Sequence, residues 1–177
     1  MKIFFDTEFT GLHKNTTLIS IGLVTENGNT FYAELNDYNK DEVSPWIQQN
    51  VINNLIGTSG NDTIVGNKAH VREELHKWLY QFDKIEWVSD VCHYDFVLLI
   101  DLLFDNALDI PYGLWNSACH DINQDIASYL SISEIDAFDY SREKMLSDAN
   151  IFIEGSKHNA LYDAKVIKEL YDLCKSK

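Results

Sequence analysis

Hydrophobic and polar positions along this chain follow two different periods, and each change of period marks an element. Lys2-Ile3-Phe4-Phe5 reads as a short buried strand, and residues 17–25 form a second run rich in β-formers. Asn27-Gly28-Asn29 is a turn signal, and a third strand is predicted around Thr30–Leu35. Three strands on short connections predict an antiparallel meander. The pattern then turns helical. Ser44-Pro45 sets a capping hydroxyl before a first-position proline and predicts a helix to about Ile56. Gly57, Gly60 and Gly66 predict a loop over 57–66. Asn67 caps a helix carrying Val71, Leu75, Trp78, Leu79 and Phe82 at helical spacing. Ile85–Ser89 is the next strand, 96–104 an apolar helix, and Trp115–Cys119 the last strand. Helices are predicted near 121–130, 133–147 and 159–175, the last with Leu161, Ala164, Ile167, Leu170, Tyr171 and Cys174 on one face. A meander, then β-α-β, then helices predicts one α/β domain over residues 1–177, without internal repeat or linker.

Composition narrows the picture. Of 177 residues, 45% are hydrophobic and 12% aromatic, enough for a full core, so a disordered chain is excluded. Lys plus Arg number 14 against 28 Asp plus Glu, a net charge of −14, which excludes a basic cradle or a polybasic membrane patch as a bulk property. The longest purely apolar run, Phe96–Ile100, falls far short of the ~18 residues of a membrane span. The opening Met-Lys meets Asp6 before any leader-like apolar stretch, and Cys92, Cys119 and Cys174 have no disulfide-framework spacing. A reducing, cytoplasmic setting is expected. A chain this acidic approaches phosphate polymers only where clustered carboxylates hold divalent cations that invert the local field. The question becomes whether the acidic residues converge.

Three positions are candidates. Asp6-Thr7-Glu8 follows an apolar strand, and alternation sends Asp6 and Glu8 to one side with Cα atoms about 6.5–7 Å apart. Two carboxylates so placed repel unless a hard cation lies between them. Asp95, in Ser89-Asp90-Val91-Cys92-His93-Tyr94-Asp95-Phe96, lies where a strand gives way to an apolar helix, the edge at which α/β sheets place ligands. Asp90 is its rival for that place. The third is His158-Asn159-Ala160-Leu161-Tyr162-Asp163-Ala164: Asp163 sits beside an apolar stripe and needs a partner, and His158 in the preceding loop can fold over the same side.

These segments resemble the DEDDh 3′–5′ exonucleases of the ribonuclease H-like fold, a family that includes RNase T, oligoribonuclease and proofreading subunits. Phe5-Asp6-Thr7-Glu8-Phe9-Thr10-Gly11-Leu12 is similar to the first motif, Tyr94-Asp95 before Phe96-Val97-Leu98-Leu99 to the second, and His158 to Ala164 to the third. Histidine five before aspartate marks the h branch. The resemblance runs over residues 3 to 171, and the short length and Ser20-Ile21-Gly22 look most like small stand-alone exoribonucleases of mycobacterial type. It implies a mixed, roughly five-stranded sheet flanked by helices. It also implies a hydrolase that removes 5′-mononucleotides from single-stranded 3′ ends, RNA favoured. The alternatives are an exodeoxyribonuclease of proofreading or phage type and a non-catalytic nucleic-acid-binding module. Two ions, Mg²⁺ or Mn²⁺, are implied: Asp6 bridging both, Glu8 and Asp163 completing the first, Asp95 supporting the second, and His158 as general base. Phe9, Thr10, Gly11 and Leu12 are implied to meet the terminal nucleotide, Phe9 and Leu12 by stacking, Thr10 and Gly11 through backbone groups. A homodimer is expected by the same resemblance.

The remaining features have plainer readings. Alternation alone makes Phe9 a core residue. Cys92-His93 and Cys119-His120 lack zinc-site spacing. Trp46, Trp78, Trp87 and Trp115 read as core, His13, His70 and His76 as surface, and Asp101, Asp105 and Asp109 as polar-face charge. Lys68, Arg72, Lys77, Arg142, Lys144 and Lys157 are the basic residues that could line a groove.

Overall fold

Strand β1 (Lys2–Phe9) runs through the middle of the sheet, and its period-two pattern feeds two separate cores. The computed structural model describes residues 1–60, 62–111 and 115–176. Ile3 and Phe5 face one way, toward helices α2 (Lys68–Leu79) and α3 (His93–Leu103), where Val71, Leu75, Leu99 and Leu102 are buried. Phe4 faces the other way, toward α4 (Asn123–Leu130), α6 (Arg142–Asp148) and α7 (Ala160–Lys175), and meets Ile126, Met145, Ile167 and Leu170. Covered on both faces, β2 (Leu18–Thr25) is buried at every position, as continuous apolar strands are.

The sheet order is β4-β3-β2-β1-β5-β6, completed by β3 (Thr30–Leu35), β4 (Thr63–Gly66), β5 (Ile85–Ser89) and β6 (Trp115–Asp121). The meander is antiparallel, whereas β3–β4, β1–β5 and β5–β6 are parallel. The mixed α/β sheet agrees with expectation in kind and differs in number: among the described residues it has six strands rather than about five. The additional strand, β4, lies inside the predicted 57–66 loop. It is only four residues long, too short for a local pattern, and is held by parallel pairing of Ala33 with Ile64 and Glu34 with Val65.

Two predicted helices are shorter than their patterns. The helix opened by Ser44, whose hydroxyl accepts the Ile47 N–H, is α1 (Pro45–Asn50), and the chain continues as a 3-10 turn at Ile52–Asn54. The predicted 133–147 helix is two helices, α5 (Glu134–Phe138) and α6. Ser141 caps α6 at the Lys144 N–H, and the Arg142 guanidinium donates to the carbonyls of Ala137 and Tyr140, satisfying groups left open where α5 ends. Among the described residues no helix is long and apolar enough to cross a membrane.

Candidate active site

The carboxylates meet because three separate elements end at one place. Asp6 and Glu8 leave β1 on the side covered by α7. Asp6 pairs across the sheet with Gly22, and a Cβ at Gly22 would lie 2.3 Å from the Leu161 nitrogen. A glycine opposite Asp6 therefore lets the first turn of α7, with Asp163, sit directly on the strand. Asn159 caps that helix at the Tyr162 N–H and is itself held by the Tyr32 hydroxyl and the Asn54 carbonyl. His158 turns into the helix with φ 63, a left-handed conformation that costs energy in a non-glycine residue. That turn aims its N–H at Asp163 Oδ2, 2.8 Å away, and leaves Nδ1 3.9 Å from Glu8 Oε1. Ligand atoms of Glu8, His158 and Asp163 all lie within 4.8 Å of one another.

Asp95 arrives from the first turn of α3, where the helix dipole favours a negative charge. Its Oδ1 accepts both the N–H (2.9 Å) and the hydroxyl (2.6 Å) of Thr7, between Asp6 and Glu8 in the chain. Asp6, Glu8, Asp95, His158 and Asp163 all line one cleft of about 940 Å³. Its walls are α1 and the α5–α6 segment. Because α1 follows β3 while α6 is tied to the end of β5, the strand order β3-β2-β1-β5 sets them on either side of the carboxylates.

Burial and mutual repulsion hold these carboxyls far from their ordinary values. Glu8 is pushed up to about 8, first by burial and then by Asp163 and Asp95. Asp163 rises to about 7 by burial, against the His158 N–H that favours its charge, and Asp95 to about 6 by burial, against its Thr7 hydrogen bonds. Asp6 is raised well above its usual range by burial and then by Asp95, Asp163 and Glu8. His158 is lowered, by desolvation first and then by the charge of Lys157. A largely buried set of repelling carboxylates with hard oxygen donors fits a divalent cation, which would favour their joint ionisation at neutral pH.

Asp90 is differently placed. Arg142 grips both its oxygens, through Nε at 2.7 Å and Nη2 at 2.8 Å, and Asn123 donates to it at 2.9 Å. Of the two rivals, Asp95 rather than Asp90 faces the cluster without a cation of its own among the described residues.

The segment after Glu8 lies along the cleft while part of it packs inward. A register shift between Glu8 and Phe9 bends the strand end, so Phe9 packs toward α3, stacked on Tyr94 at 5.6 Å, and still lines the cleft. Leu12 is 78% exposed at the same cleft. Thr10 and Gly11 line it too, but their N–H groups bond within the loop, to the Thr17 carbonyl and the Thr16 hydroxyl.

Other expectations need correcting. Trp46 is not core: it is 55% exposed on the cleft wall, its ring edge-on to His158 at 5.0 Å. A proline-led helix of six residues has one inward position, taken by Ile47, so its neighbour points out. His76 is not a free surface group, since it bonds the Leu103 carbonyl and packs against Phe104 and Trp115. Of the six basic candidates only Arg142 and Lys157 line the cleft; Lys68 and Arg72 pair with Asp101 and Asp105, Lys77 with Glu73 and Glu74, and Lys144 with Asp148. The Cys92 and Cys119 thiols contact each other but join no three-ligand metal group among the described residues. Trp46 and Glu143 carry no sequence signal for this cleft; only their position on its walls identifies them.

A mixed sheet with acidic groups from the central strand, a neighbouring helix start and a C-terminal helix is the ribonuclease H-like arrangement of the DEDDh nucleases. Within that class, the chain belongs to the 3′-5′ exoribonuclease Rv2179c-like domain family, whose model matches residues 1–174. The chain is 30% identical to the 3′-5′ exoribonuclease Rv2179c of Mycobacterium tuberculosis over 104 residues, 58% of this chain and 61% of that relative. The match thus spans less than two thirds of the relative's length. In fold it is similar to S. pombe Pop2p, solved in a Mg²⁺- and Mn²⁺-bound form (TM-score 0.67, 18% identity, 99% of this chain and 83% of that one). It is also similar to a 3′-exonuclease solved for recognition of a histone mRNA stem-loop (TM-score 0.62, 12% identity, 99% and 63%).

Proposed function

We propose that residues 1–177 form one exonuclease domain that removes 5′-mononucleotides from single-stranded 3′ ends, RNA favoured, with Mg²⁺ or Mn²⁺. The observation that carries this reading is the convergence of Asp6, Glu8, Asp95 and Asp163, buried or half-buried and mutually repelling, beside a histidine whose pKa is lowered by desolvation. Family membership supports it, as do the name of the mycobacterial relative and the recognition of a histone mRNA stem-loop by a 3′-exonuclease of the same fold.

In this reading Asp6, Glu8, Asp95 and Asp163 would hold the ions, with Asp6 as the ligand common to both. A bound pair would polarise the scissile phosphate and stabilise the attacking and leaving oxygens. His158 accepts the proton of the attacking water at its ring. Its lowered pKa keeps it unprotonated at neutral pH, and its backbone bond to Asp163 and edge contact with Trp46 fix its orientation. Phe9, Leu12 and the exposed face of Trp46 offer apolar surfaces for the terminal base, and such stacking tolerates any sequence. The −14 net charge disfavours long-range capture of duplex, since that affinity comes mainly from neutralised phosphates.

The test is degradation of matched single-stranded RNA and DNA oligomers with Mg²⁺ or Mn²⁺, products identified by mass. Shortening of RNA from the 3′ end with release of 5′-mononucleotides, lost in Asp163→Ala, is the expected result. Faster loss of the DNA strand would replace the RNA preference. Intact oligomers with either cation, or products bearing 3′-phosphates, would overturn the assignment.

A further inference from the structure

The cleft has little positive charge of its own, and one of its two basic side chains is fully engaged. Among the described residues lining it, the Lys and Arg side chains are Arg142 and Lys157. Arg142 bonds Asp90, Asn123 Oδ1 and the carbonyls of Ala137 and Tyr140, leaving no donor aimed at a ligand. Lys157 differs. Its ammonium is 2.9 Å from Glu143 on α6, and the two side chains are 62% and 57% exposed. Its backbone is anchored: the Lys157 carbonyl accepts from Asn54 at 3.0 Å, and the next N–H, that of His158, is fixed on Asp163. The pair therefore reaches from the His158 loop to the α6 wall, close enough to the carboxylates that both charges are felt at Asp163 and His158.

Resting on the exonuclease reading, we propose that Glu143 and Lys157 form an exchangeable charge latch, in which Lys157 takes a backbone phosphate of the bound strand and Glu143 is the resting counter-ion it leaves. A solvent-exposed ion pair is weakly held and screened, so exchange is easy. A phosphate offers the ammonium an anionic partner of the same kind at the same rim. Once the strand is seated, Glu143 stands beside it as an unpaired negative charge and weakens binding. Lys157 thus sets how strongly the enzyme holds nucleotides upstream of the cut, and Glu143 limits that hold.

Steady-state cleavage of a pentaribonucleotide with Mn²⁺, across a KCl series, tests this. Lys157→Gln is expected to raise KM about fivefold and to flatten the dependence of log KM on log salt by about 0.7, one single-strand phosphate contact. Lys157→Arg should restore both. Glu143→Gln should lower KM about threefold, because it removes the competitor and leaves the cation. A Lys157→Gln enzyme with unchanged KM and salt slope, or a Glu143→Gln enzyme with raised KM, would overturn the latch while leaving the exonuclease reading intact. A wild-type protein that cleaves no oligomer would overturn the exonuclease reading and the latch with it. A purely structural pair would shift melting temperature in both variants without changing the salt slope.

Discussion

Two groups of acidic side chains lie at the ends of neighbouring strands, and the protein treats them in opposite ways. At the end of β5, Asp90 is gripped on both oxygens by Arg142, which also binds Asn123 and two carbonyls of the α5–α6 turn. At the end of β1, Asp6, Glu8, Asp95 and Asp163 lie together, buried or half-buried, with hydrogen-bond donors from Thr7 and His158 but, among the described residues, no Lys or Arg in an ion pair with them. The first group is neutralised within the chain and fixes a wall of the cleft. In the proposed reading the second would keep its oxygens for a cation from outside, and the raised pKa values reflect four carboxyls packed together without internal cations. Internal pairing marks structure here, and its absence marks the site.

Three changes break or sharpen this contrast. The largest effect is expected from Asp6→Asn. Losing the shared ligand should cost several kcal/mol of transition-state stabilisation, about a thousandfold in kcat, while the fold stays intact by circular dichroism. Arg142→Met should do the reverse. It leaves Asp90 largely buried without its cation and frees the α5–α6 turn, lowering stability by about 3 kcal/mol and the melting temperature by roughly 6–12 °C. Activity per folded molecule should fall far less than in Asp6→Asn.

The third change concerns pH in the metal-free protein. Glu8, Asp163 and Asp95 titrate at about 8, 7 and 6 in the folded chain, above the 4.5 and 3.8 of free carboxyls. The folded state therefore binds more protons than the unfolded state across that window. Stability is full below the unfolded pKa values and declines as pH rises through the folded ones, from about pH 4 to about pH 8. Glu8→Gln removes one buried charge and should raise metal-free stability at pH 8 by on the order of 2 kcal/mol, a gain that disappears toward pH 4. Calorimetry over that range checks it. Added Mg²⁺ should stabilise the wild type most at the alkaline end, where protons no longer compete for the carboxylates.

Much of this was legible in the sequence because it depends on adjacent residues. The caps at Ser44 and Asn67, the alternation in β1 and the stripe of α7 are local signals, and each produced its element. The division of the predicted 133–147 helix was not, although Ser141 is a capping residue, because the carbonyls exposed at the break are satisfied by Arg142, itself held by an aspartate 52 residues away. β4 was missed for the same reason: four residues with no register of their own depend on the β3 edge.

The identities of the site residues, their motif spacing and the parity that puts Asp6 and Glu8 on one side were set by the order of amino acids alone. Their meeting was not. The Thr7–Asp95 contact closes 88 residues of chain, and the approach of Asp163 to Asp6 depends on a glycine across the sheet. Tertiary packing also decided that Trp46 faces the cleft and that Arg142 serves Asp90 rather than a ligand. Capping and periodicity come from the sterics of neighbouring peptide units, whereas burial, pairing and repulsion among charges exist only once distant segments share one dielectric environment.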